Sequence, residues 1–176
     1  MSGRPVQRFV GKYRGTVTQN IDPMLRGRLL CMVPDVLGPV PSSWAEPCVP
    51  LAGPTGPPMG VYLVPPIGAG VWVEFEQGDP GKPVWVGCRW GSQGDIPPLA
   101  RAGLPVSPSI VIQTAGQNSI VVSDLPGPSG GIMLKSASGA MIIVNDTGIY
   151  IQNGKGASIV MTGPTVNVNA GALTVV

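Results

Sequence analysis

Few side chains in this 176-residue chain have the types and spacing that catalysis needs. Glu74 and Glu76 alternate along an extended run, so they share one strand face about 7 Å apart. Two carboxylates at roughly that separation could serve an inverting glycosidase as acid and base. No companion group points to a pocket, and the pair reads more simply as two solvated charges beside a hairpin. Cys31, Cys48 and Cys88 are the candidate nucleophiles, but the chain has no histidine. That removes Ser-His-Asp and Cys-His catalysis and imidazole metal ligation. No two cysteines form a CxxC pair, so a thiolate metal site within one chain is not expected. Three unclustered thiols read as reduced, buried residues of a protein made in a cytosol. Gly68-Ala69-Gly70 and Gly127-Pro128-Ser129-Gly130-Gly131 lead into no helix and match no GxxxxGK[ST] pattern, so they are tight turns and not phosphate loops. The expectation is no enzyme, no metal and no cofactor.

The other chemical signal is charge. Arg4, Arg8, Lys12, Arg14, Arg26 and Arg28 stand against Asp22 alone in the first 28 residues. With Phe9 and Tyr13 nearby, single-stranded nucleic-acid binding by a small barrel with a multimerising tail is the alternative function. The net charge is only +2, and the strands carry little aromatic–basic interleaving. No nucleic acid is therefore expected, and a basic arm docking on an acidic partner is the preferred reading.

The elements that must position these residues are short. The chain has 26 glycines and 21 prolines, and its longest stretch free of both is Gln117–Leu125. An ordinary helix runs about 11–12 residues, and interior glycine or proline costs it about 1 or 3 kcal/mol, so the fold class is all-β. Disorder is excluded by 43% hydrophobic and only 11% charged residues, because disordered chains need the opposite balance. So low a charge content implies that much of the surface is covered by other copies or partners. The N-terminus shows no apolar signal-peptide core. The most apolar stretch, Val61–Val73, is interrupted by prolines and falls short of the ~20 residues of a spanning helix.

Four segments follow: an arm (1–10), a barrel domain (11–91), a linker (92–109) and a repeat (110–176). In the barrel, strands are expected at Tyr13–Gln19, Gly27–Val33, Cys48–Leu51 and Val61–Val64, then a hairpin over Val71–Val86. Val71, Val73 and Phe75 share one hairpin face, and Trp72, Glu74 and Glu76 the other. Its turn is set by Asp79, Pro80 and a positive-φ Gly81. Short strands of this kind with a large mid-domain loop suit an OB-fold. The linker, with Pro97-Pro98, reads as an extended spacer. In the repeat, apolar anchors at Ile110, Ile120, Ile132, Met141, Ile149, Ile159, Val166 and Leu173 are about nine residues apart. Apolar residues recur at i and i+2 in Ile132/Leu134, Met141/Ile143, Ile149/Ile151, Ile159/Met161, Val166/Val168 and Leu173/Val175, the expected needle core. Such strands bury too little alone, and several chains wound together would cover one another's apolar faces. Eight segments at about 4.8 Å each give a needle of roughly 40 Å.

The run Pro65–Gly91 resembles the spike proteins of phage baseplates and the related valine-glycine repeat proteins of type VI secretion. Their P-x-x-G-x-x-V-x-V-x-F-x-x-G-D-P-x-x-P-x-V-x-G pattern is met by Pro65, Gly68, Val71, Val73, Phe75, Gly78, Asp79, Pro80, Pro83, Val84 or Val86, and Gly87. Asp22-Pro23 with Gly27-Arg28-Leu29 resembles the family's turn and following strand, and Ser43-Trp44-Ala45 its tryptophan loop. The resemblance covers 11–91 residue by residue, and 107–176 as the pattern of a trimeric needle. It implies an N-terminal OB-fold followed by a C-terminal intertwined triple-stranded β-helix. It also implies a homotrimeric structural spike of a contractile injection system, which joins hub to tip and punctures the target envelope when the sheath contracts. Only ten residues precede Gly11, so the hub is expected to be a separate protein at the OB end. A PAAR-type tip protein would cap Leu173, Val175 and Val176. Inner tube and sheath would be indirect partners, the target membrane a transient one, and the location a phage tail-like particle. Without histidine the needle cannot hold the His-x-His iron site of some phage spikes.

Overall fold

The computed structural model describes residues 7–53 and 57–175. The chain divides into two units, Met1–Gly91 and Ser92–Val176. The first unit carries β1 (Tyr13–Gln19), β2 (Leu30–Met32), the one-turn helix α1 (Pro34–Leu37), β3 (Glu46–Pro47), β4 (Ala52–Gly53), β5 (Met59–Gly60), β6 (Gly70–Phe75) and β7 (Pro83–Arg89). Five strands form a sheet in the order β2-β1-β6-β7-β3, with β3 parallel to β7 and the other neighbours antiparallel. Leu29 and Ala45, next to β2 and β3, exchange backbone hydrogen bonds of 3.1 and 2.7 Å. These bonds join the two outer strands, so the sheet curls into a small barrel.

Alternation fills that barrel. Val71, Val73 and Phe75 of β6 point inward to meet Val17, Leu29, Cys31, Val33, Ala45 and Trp85, while Trp72 and Glu74 stay half-buried on the other side. The Trp85 indole N–H donates to the Gly27 carbonyl at 3.1 Å, so its polar edge is satisfied inside the core.

Several local details differ from the sequence reading. The strand expected over Gly27–Val33 contracts to β2, because Gly27 turns at φ 77° and the Arg26 and Arg28 N–H groups bond the Asp22 carboxylate. Cys48–Leu51 and Val61–Val64 are not strands. Pro50 removes a ladder donor within the first run, and Pro65 and Pro66 follow directly on the second. Isolated bonds from Cys48 N to Trp85 O (2.9 Å) and from Val61 N to Leu51 O (3.0 Å) replace a ladder. In the hairpin, Asp79 accepts from the Gly81 N–H at 2.9 Å. The left-handed backbone, however, falls at Gln77 (φ 53°) and Gly78 (φ 77°), not at Gly81, because the reversal begins earlier, in a 3-10 turn over Glu76–Gly78. That turn takes Glu76 off the strand, so it does not share a strand face with Glu74. Of the three free thiols, only Cys31 is buried, and Cys48 and Cys88 are exposed. Burial pushes the Cys31 thiol up to about 11, which keeps it protonated and inert.

In the second unit, residues 92–109 are not an extended spacer. The Asp95 carboxylate accepts from the Ser92 N–H and hydroxyl at 3.0 Å each, and 3-10 turns occupy Gln93–Asp95 and Pro98–Arg101. Local capping thus overrides the extended preference of Pro97-Pro98. Eight strands follow: β8 (Ile110–Gln113), β9 (Ser119–Ser123), β10 (Gly131–Lys135), β11 (Met141–Asn145), β12 (Gly148–Gln152), β13 (Ser158–Thr162), β14 (Thr165–Val168) and β15 (Leu173–Val175). Each pairs antiparallel with the next in one meander. With seven inter-strand spacings of about 4.8 Å, the sheet measures about 34 Å along its hydrogen-bonding direction. Gly148 shows how tightly the strands are set: at φ 151°, a Cβ there would lie 2.1 Å from the Met161 carbonyl oxygen.

Candidate functional site

In the first unit the family-like residues build a scaffold. Asp22 is 4% exposed. Its carboxylate accepts from the N–H groups of Met24 (2.9 Å), Arg26 (2.8 Å) and Arg28 (3.3 Å), and from Arg28 Nη2 at 2.6 Å. The Arg28 guanidinium is the main reason that this carboxyl titrates well below the usual carboxylate range, opposed by desolvation and helped by the three backbone donors. Arg28 also lies 5.5 Å from the Trp44 ring centre, a cation–π contact. The sequence places Asp22 in a turn before Gly27 and Arg28, without showing that its carboxylate organises them and, through Arg28, Trp44. The signal was present in the unusual isolation of Asp22 among six bases. Pro65 is buried, the Gly68 N–H donates to Val17 O at 2.8 Å, and the Gly78 carbonyl accepts from the Phe9 N–H at 3.0 Å. Asp79 and Pro80 form the turn, Pro83 opens β7 opposite Phe75, and Gly87 faces Trp72 beside a bulge. These residues fix a fold; they do not converge on a cleft.

The other chemical candidates disperse. Glu74 is ion-paired with Lys12, Arg26 with Glu46 at 2.7 Å and Arg28 with Asp22, so three of the six bases are neutralised locally. Arg4 lies outside the described residues. Among the described residues no group of three or more His, Cys, Asp or Glu could hold a metal ion, and no helix is long and apolar enough to cross a membrane.

The second unit presents the site. Register aligns its apolar side chains into two unbroken columns on one face. One runs Ile110, Val122, Ile132, Val144, Ile149, Met161, Val166, and the other Ile112, Ile120, Leu134, Ile142, Ile151, Ile159, Val168, Leu173. No charge or polar group interrupts either column. In a single chain most of this face is exposed: Ile110 is 66% exposed, Ile132 50% and Ile142 41%, while Met161, Val166 and Val168 are half-buried. Twelve exposed aliphatic side chains cannot remain in water at about 25 cal/mol per Å2, and so continuous a patch marks an interface.

Of the twelve needle-core residues named from sequence, nine lie on this face, and the side chain of Val175 lies outside those described. Met141 and Ile143 do not lie on this face. They pair with Lys135 and Met133 of β10 and so stand on the opposite face, while Ile142 and Val144 occupy the columns. Met141-Ile142-Ile143-Val144 is apolar throughout, so alternation leaves its phase open, and the turn that joins β10 to β11 sets it. Leu173 is 57% exposed, and Val176 lies outside the described residues.

A search of the curated proteins finds no match. Family models do match, in two places. Residues 13–90 match the type VI secretion system/phage-baseplate injector OB domain, and residues 109–174 match the phage baseplate V C-terminal trimerisation domain. The closed five-strand barrel and the largely exposed apolar sheet fall within these two matches, in that order. The chain therefore belongs to the phage baseplate V family, as a spike-type component with an OB domain and a trimerisation domain.

Proposed function

We propose that three copies of this chain form the central spike of a contractile injection system and that its function is mechanical, not catalytic. The observation that carries this reading is the pair of uninterrupted apolar columns, largely exposed in one chain and lying within the match to a trimerisation domain. Three such sheets wound about a common axis would bury these columns against one another and satisfy the charge-poor composition. A stiff needle follows, because interlocked strands pair their backbone groups throughout. The OB unit faces a separate hub protein. Its exposed Leu25, Leu51, Met59, Tyr62 and Leu63 line an apolar groove of about 1000 Å3, which supports a protein partner there. The C-terminal end receives a PAAR-type tip protein, and sheath contraction drives the assembly through the target envelope as part of a tail-like particle.

Native mass tests the reading directly. Sedimentation equilibrium of the purified chain is expected to give three times the 18.1 kDa subunit mass. A monomer at micromolar concentration would sink the spike.

A further inference from the structure

On the sheet face opposite the apolar columns, Gln113, Ser119 and Lys135 stand directly opposite one another on β8, β9 and β10. Side chains so placed are about 5 Å apart at Cβ. They line a cavity of about 250 Å3, completed by Gln117 and by Pro98 and Leu99 of the segment before β8. Ser119 is 6% exposed, and its hydroxyl is buried without a hydrogen-bond partner. A buried hydroxyl left unsatisfied costs free energy and calls for a ligand. The ammonium of Lys135 makes none of the ion pairs found among the described residues. The polar wall is thus a hydroxyl, an ammonium and two carboxamides, with no carboxylate among the lining side chains. Every one of these groups can donate, and one carries positive charge, so the complementary ligand is an anion with several acceptor oxygens.

We propose that this cavity is an oxyanion site that takes a phosphate or a small phosphate ester, one per chain. The ligand's oxygens accept from the Ser119 hydroxyl and the Lys135 ammonium, while the Gln113 and Gln117 amides close the rim. Pro98 and Leu99 form the apolar roof. The site is lined by residues of one chain's own second unit.

Isothermal titration of the full-length protein with inorganic phosphate and with glycerol phosphate, at constant ionic strength in chloride, tests the site. Saturable binding at one equivalent per chain is expected, weakened roughly tenfold or more by Ser119→Ala and by Lys135→Met. Ser119→Ala removes an unsatisfied hydroxyl and Lys135→Met keeps the aliphatic stem, so far-UV circular dichroism and native mass should not change. Tighter binding of glycerol phosphate assigns the ligand to a headgroup or sugar phosphate, and equal binding assigns it to the free anion. Absence of saturable binding to both, or equal binding by wild type and both variants, overturns the proposal.

Discussion

Asp22 shows how one side chain can organise a loop. Its carboxylate holds three backbone N–H groups and the Arg28 guanidinium, and Arg28 in turn lies against Trp44. Removing a partner from a shielded pair leaves an uncompensated charge. Asp22→Ala is therefore expected to lower the denaturation midpoint of the first unit far more than Lys12→Ala, whose exposed pair with Glu74 is worth roughly 0–1 kcal/mol. The pH dependence has a definite sign. The folded carboxyl titrates below its ordinary value, so its contribution is fully present above about pH 4 and fades as pH falls through the depressed folded value. Acid titration followed by tryptophan fluorescence should show a shallower loss of stability below pH 4 in Asp22→Asn than in wild type. An identical acid limb in both would show that the clamp is not carried by that charge. None of this network could be read from spacing alone, since Asp22-Pro23 looks like any turn until the guanidinium six residues later folds back onto it.

At the scale of elements, the repeat was legible as eight short strands because strand alternation and turn residues recur together. Its phase was legible wherever polar residues flank the apolar ones, as in Gly148–Gln152 (GIYIQ). It was not legible in Met141–Asn145 (MIIVN), where four apolar residues in succession fit either face. This distinction has a measurable consequence. Ile142→Asp puts a charge into the continuous column and is expected to abolish the trimer, since burying unpaired charges in an assembly costs several kcal/mol each. Ile143→Asp, on the other face, is expected to lower thermal stability while the trimer persists. Light scattering on the two variants separates them, and the reverse outcome would assign the assembly to the opposite face. The prolines that confused the loop between β3 and β6 act at the same scale. They delete donors one at a time, so the chain keeps isolated bonds where a ladder was expected.

At the scale of the molecule, the two units stabilise themselves differently. The barrel closes on its own core, with Val17, Leu29, Cys31, Val33, Val71 and Val73 shielded from water. The meander has no second layer in a single chain to cover its columns, so its stability is linked to association and hence to concentration. All four tryptophans, Trp44, Trp72, Trp85 and Trp90, belong to the first unit, which makes the two responses separable. In urea, tryptophan fluorescence is expected to report a concentration-independent midpoint, and far-UV circular dichroism an additional transition that moves upward with protein concentration. Coincident midpoints that shift together would contradict independent stabilisation. Sequence by itself determined the all-β class, the inward face of β6 and the periodic need for partner chains. Each of these follows from local alternation, backbone restriction and charge content, which neighbouring residues carry without help. Tertiary structure alone decided barrel closure through Leu29 and Ala45, the Asp22–Arg28 clamp, the phase of Met141–Asn145 and the cavity around Ser119. These depend on contacts between residues distant in sequence or on turn geometry, and alternation specifies which side chains can share a face, not which strands will meet.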